Sequence, residues 1–456
     1  MPRRPTIAET RRALVEGTTT SLAFVERCLA AIDDPDGEGA RAFLAVDHER
    51  AREEARTADR HLQAGSRGAL TGIPISIKDL FDVAGEVTTC GSIVLRGQPP
   101  AMRDAPAIAR LRAAGAIVIG RTNMVEFAYS GIGCNPHYGT PSSPYDRATG
   151  RAPGGSSSGG AVSVSDGMAL AAIGTDTGGS VRIPAAFCGI VGFKPTRGRI
   201  PTEGVFPLAP SFDTVGPMAN TVADCRLIVS VMSGDDLPPT ARAVRGLRLG
   251  LATGLPLADL DPAVAAAFAR ALDLLRDAGA TLEPLEVDWD DAAAIMQQGR
   301  ITAVECLATH GGLFDRCAEY DPRIVSRIAA ARGFPTALYE DAIERLRSIQ
   351  QPASRLLATV DALVMPTVAC IPPPLSALAD DAAFFAANAR ALRNTMLVNL
   401  IDGCAASLPI GAEGEPPVGL SVVAGAGRDR QALDVAEAIE GALRRAPWSP
   451  SRQRWS

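Results

Sequence analysis

The sequence predicts an α/β protein in which a central sheet is covered by helices on both faces. Short apolar segments typical of buried strands, such as 69–78 and 116–120, alternate with longer segments typical of helices, such as 106–114. The alternation continues to a final helix predicted at 428–445. No internal repeat or disordered linker separates these parts, so we expect one compact domain over residues 1–456.

The N-terminal residues 6–64 are predicted to be helical. The polar run Thr18–Ser21 offers an N-cap before the apolar stretch 22–32, and a second helix with a polar face begins near Asp47. The first buried strand follows these helices, at 69–78.

The core region, residues 68–235, contains several short apolar segments with the length of buried strands. Strands are predicted at 69–78, 116–120, 168–173 and 189–193. Helices are predicted at 106–114 and 222–232, and a helix or turn at 123–128. The glycine-rich stretches between them are predicted to be loops, and the proline-rich residues 195–221 are predicted to be turns.

The second half of the chain continues the same alternation. A strand, a helix and a strand are predicted at 246–252, 261–278 and 281–287. Residues 290–358 are largely amphipathic, and we expect them to form a helical cap or insertion. The last elements are predicted at 362–366 (strand), 381–400 (helix), 418–423 (strand) and 428–445 (helix).

Composition limits the class of protein. The net charge of −6 gives no electrostatic case for binding nucleic acid or an anionic membrane. No apolar run has the length of a membrane span and no secretory signal pattern opens the chain, so we expect a cytoplasmic protein. The nine cysteines contain no CxxC pair and the four histidines are dispersed, so we expect reduced thiols and no metal site.

Two clusters of small residues dominate the core region, GGSSSGG at 154–160 and GTDTGGS at 174–180. Glycine lets main chain approach a ligand closely and serine supplies hydroxyls, which is typical of a site built from backbone amides. A flexible linker is the alternative, but the apolar segment 168–173 between the clusters argues against it. A phosphate-binding loop is a further alternative, although its Gly-Lys-Ser/Thr ending is absent.

Lysine is rare in this chain, which contains only Lys78 and Lys194. Lys78 ends the apolar stretch 72–77, where burial would lower the pKa of the amine and allow it to act as a base. A serine of the first cluster could relay a proton from Ser180 to this amine. Backbone N–H groups of residues 177–180 could then form an oxyanion hole.

A Ser-His-Asp triad is the alternative arrangement for a serine nucleophile. His137 is the one histidine near the clusters, and it lies in a turn-like segment that favours a structural role. Residues 155–159 match the letters of a GxSxG elbow, but no buried strand precedes them. We therefore favour the lysine base.

Stretches 153–161 and 174–184 resemble the signature of the amidase signature family, serine hydrolases with a Ser–cis-Ser–Lys triad. The likeness extends from about residue 6 to residue 445. Further matching stretches are 72–79, 88–92, 123–128, 187–189 and 192–198. The resemblance implies the fold of this family, a mixed central sheet covered by helices.

The resemblance also implies the roles of individual residues. The nucleophile falls on Ser180, the lysine on Lys78 and the bridging serine, which follows a cis peptide bond, on Ser156. Ser158 stands where many members of the family have glycine, which leaves Ser157 as the alternative relay.

Other site residues follow from the same resemblance. The implied oxyanion hole is formed by the amides of Thr177, Gly178, Gly179 and Ser180. Asp176 and Arg182 would support this loop, with a plain surface ion pair as the alternative. The acyl pocket would be lined by Tyr129, Ser130 and Gly131, and Lys194 would be structural.

The implied activity is hydrolysis of a small amide or carbamate through an acyl-enzyme, without cofactor or metal. Candidate substrates are aryl and aliphatic amides, urethanes and ureides, and a homodimer is possible by likeness to the family. The stretch 393–409 resembles stand-alone hydrolases. The alternatives are the glutamine-hydrolysing component of a glutamyl-tRNA amidotransferase, which acts with a partner, and a catalytically silent binding protein.

Overall fold

The computed structural model describes residues 4–446. Within them, eleven strands form one sheet: β1 (Phe43–Ala45), β2 (Pro74–Lys78), β3 (Ile117–Thr122), β4 (Ala171–Thr175), β5 (Val191–Lys194), β6 (Val215–Ala219), β7 (Arg248–Ala252), β8 (Thr281–Leu285), β9 (Ala362–Pro366), β10 (Cys404–Pro409) and β11 (Gly419–Ala424).

Fifteen α-helices of the described chain pack around this sheet. They are α1 (Ile7–Glu16), α2 (Ser21–Asp33), α3 (Gly39–Ala42), α4 (His48–Gln63), α5 (Pro106–Ala113), α6 (Ser158–Ser165), α7 (Arg182–Cys188), α8 (Val222–Ser233), α9 (Pro262–Asp277), α10 (Trp289–Gly299), α11 (Ile301–His310), α12 (Pro322–Ala329), α13 (Thr336–Leu357), α14 (Asp381–Leu400) and α15 (Asp429–Arg445). Short 3₁₀ helices lie at Glu126–Ala128, Leu255–Leu257, Gly311–Glu319 and Leu375–Leu378.

The strand order is β1-β3-β2-β4-β6-β5-β10-β11-β9-β7-β8. Strand β2 is parallel to both β3 and β4, whereas β4 and β6 pair antiparallel, as do β10 and β11. Every residue of β2, β3 and β4 is buried, so both faces of the sheet are covered at its centre. The predicted α/β fold with a mixed sheet is confirmed.

Some of the predicted secondary-structure elements were wrong, because a content of small residues and proline does not show whether a segment is a loop or is buried in the fold. Strand β6 lies in the stretch predicted to be turns, and Pro217 pairs with Ile173 in the middle of it. Strand β10 was not predicted, and β1 interrupts the N-terminal residues that were predicted to be helical. Helix α6 begins at Ser158, within a cluster predicted to be a loop, and all its residues are buried.

The parallel pairing of β2 and β4 brings the polar residues at the ends of these strands together. These two strands are parallel neighbours, with Ile77 opposite Ile173 in the register. Their carboxyl ends therefore reach the same edge of the sheet, which places Lys78 beside Thr175. Helices α6 and α7 pack against each other at this edge. None of the helices described here is both long enough and apolar enough to span a membrane.

Candidate active site

Lys78 is fully buried at the end of β2. Its Nζ donates to Ser156 Oγ at 2.6 Å and to Thr175 Oγ1 at 2.8 Å. Burial lowers the pKa of the amine to about 7, although the negative charges of Asp213 and Asp176 act in the opposite direction. A large fraction of this lysine is therefore uncharged near neutral pH, the state in which an amine accepts a proton.

The first cluster holds Ser156 and Ser157 in different environments. A cis peptide bond joins Gly155 to Ser156, whose carbonyl accepts from the amide of Val125 at 3.0 Å. The Ser156 hydroxyl faces Lys78, whereas the buried Ser157 hydroxyl has no hydrogen-bond partner in the described chain. The geometry favours Ser156 over Ser157 as the relay serine.

This difference predicts unequal effects of two neighbouring substitutions. We expect Ser156→Ala to lower kcat on an amide by about 10²- to 10⁴-fold, the range for loss of a proton-transfer group. Ser157→Ala removes a hydroxyl that has no hydrogen-bond partner in the described chain, so we expect a change within about threefold. Steady-state kinetics of both variants measure this, and a greater loss in Ser157→Ala would assign the relay to the other serine.

The second cluster follows β4 and precedes α7. Ser180 is buried and lies next to Gly179, whose φ is +136°. The Gly179 amide donates to Asp176 Oδ1 at 2.8 Å. Within residues 4–446, no protein acceptor is hydrogen-bonded to the amides of Thr177, Gly178 and Ser180, and these three N–H groups are available to a ligand.

A buried ion pair stabilises the loop that contains residues 176–180. Arg182 donates to Asp176 through Nε at 2.9 Å and through Nη2 at 2.8 Å, and both side chains are fully buried. Burial alone would raise the pKa of Asp176, but the charges of Arg182 and Lys194 and the hydrogen bonds from Arg182 and Asn399 together outweigh that effect and lower the pKa to about 2. Asn399 on α14 donates to the same carboxylate at 3.1 Å. The alternative of a plain surface ion pair is therefore wrong.

The tight packing of the loop predicts that Gly179 tolerates no side chain. A Cβ at this position would lie 2.1 Å from Thr395 Oγ1. The φ of +136° is also a backbone conformation that is strained for any residue other than glycine. We expect Gly179→Ala to lower the free energy of unfolding by about 2–4 kcal/mol.

Gly178→Ala is the matched control. Its Cβ would lie 2.5 Å from the flexible end of Met396 and in ordinary contact with Leu392, at 3.5 Å, so we expect a loss below about 1.5 kcal/mol. Urea unfolding of both variants measures the difference. Equal losses would contradict the steric argument.

A cavity of about 310 Å³ opens beside Ser180. Tyr129 and Ser130 line it, whereas Gly131 does not; the amide of Gly131 instead donates to Asn388 Oδ1 at 2.8 Å. The helices α10–α13 are called here the cap helices, and α10, α11 and α12 close another side of the cavity. Their contribution includes Met296, Arg300, Thr302, Ala303 and Arg327. The two arginines were not predicted, because nothing in the sequence links the cap helices to the serine clusters.

Asp213 is a second site residue that the sequence did not indicate. Its carboxylate accepts from Thr177 Oγ1 and from the amides of Leu208 and Ala209. Burial raises the pKa of Asp213. A second cavity of about 450 Å³ is lined by Asp213, Thr175 and Thr177. Thr177 borders both cavities, and Thr175, the hydrogen-bond partner of Lys78, lines the second one.

His137 and Lys194 do not contact Ser156 or Ser180 through hydrogen bonds in the described chain. His137 Nε2 is 2.9 Å from Glu126 Oε1, and no hydrogen bond joins it to the serines. Lys194 Nζ donates to the carbonyls of Gly403 at 2.6 Å and Pro195 at 3.0 Å, as expected of a structural residue. All nine cysteines are free, and the described residues hold no His, Cys, Asp and Glu group suited to a metal ion.

Comparison with known proteins identifies the family. Residues 23–433 match the profile of the family described as Amidase. This chain belongs to the amidase signature family. The amidase is 37% identical to a 2-amino-5-chloromuconic acid deaminase of Comamonas testosteroni over 410 residues, covering 88% of each protein. It is 34% identical to the A subunit of the glutamyl-tRNA(Gln) amidotransferase of Roseiflexus sp. (strain RS-1), covering 95% of this chain and 96% of the relative.

A solved structure agrees with this assignment. A crystal structure described as an amidase superposes with a TM-score of 0.86 at 31% identity, covering 96% of this chain and 99% of the other. The predicted family and fold are thereby confirmed. The amidase is a family hydrolase that acts on C–N bonds.

Proposed function

We propose that this amidase hydrolyses small amides through an acyl-enzyme formed on Ser180. The observation that carries the proposal is the 2.6 Å contact between Lys78 Nζ and Ser156 Oγ, in a buried site next to the cavity that Ser180 lines. A neutral amine, a relaying hydroxyl and a second hydroxyl beside an open cavity supply the groups that acyl transfer requires.

In the proposed mechanism, Ser180 Oγ attacks the amide carbonyl while its proton passes through Ser156 to Lys78. Negative charge then develops on the carbonyl oxygen. The amides of Thr177, Gly178 and Ser180 stabilise this charge, whereas the Gly179 amide already donates to Asp176. The relay returns the proton to the leaving amine, and water cleaves the acyl-enzyme by the same path.

Tyr129 and Ser130 are proposed to contact the acyl part of the substrate, because both line the cavity. Gly131 is proposed to act indirectly, by holding this segment against Asn388. The mechanism requires no metal or cofactor. A carbamate such as a urethane presents the same carbonyl with an amine leaving group, so we include carbamates and ureides among the substrates to be tested.

The test is a hydrolysis panel on the purified protein: an anilide, a short aliphatic amide, an aryl carbamate, allophanate, glutamine and 2-amino-5-chloromuconic acid. Turnover of at least one amide or carbamate that disappears in Ser180→Ala supports the proposal. Labelling by a fluorophosphonate probe separates an enzyme from a silent binding protein. Absence of both labelling and turnover would reject the proposal.

A second candidate is the glutaminase component of a glutamyl-tRNA amidotransferase. The observation that favours it is the likeness to the Roseiflexus protein over 95% of this chain. This candidate predicts that glutamine hydrolysis rises sharply when the remaining components of such a complex are added. Turnover of amides other than glutamine by the isolated chain, unchanged by those components, would favour the stand-alone hydrolase.

A further inference from the structure

We propose that Asp213 is a positioning residue of the reaction, and that its negative charge stabilises Lys78 once the lysine has accepted a proton. The inference rests on the proposed function, because it concerns the proton that leaves Ser180. In the proposed mechanism this proton passes through Ser156 to Lys78, so a neutral amine becomes an ammonium in a fully buried position. A buried charge is costly unless an opposite charge lies nearby.

Backbone pairing places Asp213 beside the second cluster of small residues. Strands β4 and β6 pair antiparallel. The pairing continues past the ends of both strands through two hydrogen bonds between the main chains of Thr214 and Asp176, at 2.8 and 3.2 Å. Asp213 is the next residue on one side and Thr177 the next on the other, and the Thr177 hydroxyl donates to the Asp213 carboxylate. The start of β6 therefore fixes where this carboxylate lies.

Asp213 lies close enough to Lys78 for their charges to interact. Lys78 Nζ donates to Thr175 Oγ1 at 2.8 Å, and Thr175 and Asp213 line the same cavity of about 450 Å³. Burial lowers the pKa of Lys78 to about 7, and among the charges that oppose this effect Asp213 acts most strongly, ahead of Asp176. The carboxylate is therefore placed to favour the protonated form of the lysine.

The carboxylate of Asp213 has neutral hydrogen-bond donors and no ion-pair partner in the described chain. Its donors are the hydroxyl of Thr177 and the amides of residues 208–209. Donors of this kind favour the ionised carboxylate without cancelling its charge. Asp176 differs, because both of its oxygens accept from the guanidinium of Arg182. The charge of Asp176 is therefore largely offset, whereas that of Asp213 is not.

Other charged or titratable groups around the carboxylate and the lysine do not supply the missing counter-ion. Arg197 lines the second cavity, but it pairs with Asp402 at 3.7 Å. Burial raises the pKa of Asp213, and the negative charge of Glu305 on α11 acts in the same direction. Burial also raises the pKa of the Cys90 thiol, which therefore stays neutral. The cation that forms during the reaction is thus the natural partner of this carboxylate.

The scarcity of lysine allows a direct measurement. The chain contains only Lys78 and Lys194, so protein labelled with ¹³C at the ε-carbon of lysine gives two lysine signals in NMR spectra. Lys78→Met removes one signal and thereby assigns it. Titration of the Lys78 signal against pH gives the pKa of this amine in the unsubstituted protein, in Asp213→Asn and in Asp224→Asn.

The two variants are matched in what they remove. Asp213→Asn removes the charge but retains the shape of the side chain and an oxygen for the two amides. Asp224 on α8 is also a buried carboxylate that accepts from a backbone amide, that of Ile7 at 3.0 Å, and it lines neither cavity. Asp213→Ser removes the same charge with a smaller polar side chain, and it replaces Asp213→Asn if that variant does not fold.

We expect Asp213→Asn to lower the pKa of Lys78 by about one pH unit, because the opposite charge that favours the ammonium is lost. Asp224→Asn should leave this pKa unchanged. A pKa of Lys78 that does not fall in a folded Asp213→Asn or Asp213→Ser protein would overturn the inference and leave the proposed function intact.

The kinetic measurement is the pH profile of kcat/KM on an uncharged amide. In Asp213→Asn the loss of activity at low pH should begin at a lower pH, by the amount that the NMR titration gives. The plateau at higher pH should fall by about tenfold, since one pH unit of lost stabilisation corresponds to a factor of ten in rate.

The profile separates this role from a structural one and from failure of the proposed function. A plateau that falls without any movement of the profile along the pH axis would show a structural role and overturn the inference, as would a plateau that does not fall. An unsubstituted protein that turns over no amide or carbamate of the panel would overturn the proposed function itself.

Discussion

Ser180→Ala is expected to lower kcat on any substrate of the panel by about 10⁴- to 10⁶-fold, the range found when a member of a catalytic triad is removed. The proposed acyl-enzyme cannot form without the Oγ of this residue. Fluorophosphonate labelling should disappear at the same time. Steady-state kinetics and mass spectrometry of the labelled protein measure the two losses independently.

The fold should survive this substitution, which makes the loss interpretable. The Ser180 hydroxyl is bonded to no side chain or main-chain atom of residues 4–446, whereas its carbonyl accepts from Ser157 and is retained in alanine. We therefore expect the free energy of unfolding to change by less than about 0.5 kcal/mol. Retained amide turnover in a folded Ser180→Ala protein would show that another group is the nucleophile.

Lys78→Arg is expected to lower kcat by at least about 10³-fold, because arginine stays protonated and cannot accept the proton of Ser156. The pH profile of the unsubstituted enzyme tests the same role. The pKa of Lys78 is lowered to about 7, so the amine is neutral and active above that pH. Below it, kcat/KM on an uncharged amide should fall about tenfold per pH unit. A flat profile between pH 5 and 7 would contradict the assignment.

The protein's stability supplies a control that does not require a substrate. The amine of Lys78 has a pKa of about 7 in the folded chain and an ordinary value of 10.5 when unfolded. Between these values the unfolded state binds more protons, so this group makes stability rise with pH across that window. Lys78→Met removes the titrating group, and the slope of unfolding free energy against pH should become smaller. An unchanged slope would show that the lysine is charged in the folded protein.

The sequence predicted those parts of the site that lie in short continuous stretches. Lys78 was recognisable as a rare lysine at the end of an apolar strand, and Ser180 by the small residues around it. The family resemblance supplied Ser156, and the contact with Lys78 agrees with it. These residues reach one edge of the sheet because β2 and β4 are parallel neighbours.

The rest of the site depends on contacts between distant segments. Asp213 reaches Thr177 across 36 residues, and Arg327 meets Tyr129 from the cap helices. Hydrophobic periodicity within a segment does not indicate contacts between segments that are distant in the sequence. The Gly179 amide was predicted to face the substrate, but loop geometry turns it toward Asp176. The sequence alone did not show the direction of this N–H group, because that direction depends on the positive φ of Gly179 and on the buried Arg182, which holds Asp176 in place.

The cavity joins two segments that are well separated along the chain. The groups proposed to perform the chemistry lie between residues 78 and 180, whereas the wall that carries Arg300 and Arg327 comes from α10 to α12. The residues that contact the substrate from the cap helices can therefore change among homologues without a change in the residues proposed to cleave the bond. Exchanging the segment 289–330 with that of another amidase offers a route to redirect selectivity while leaving Ser180 and Lys78 unchanged.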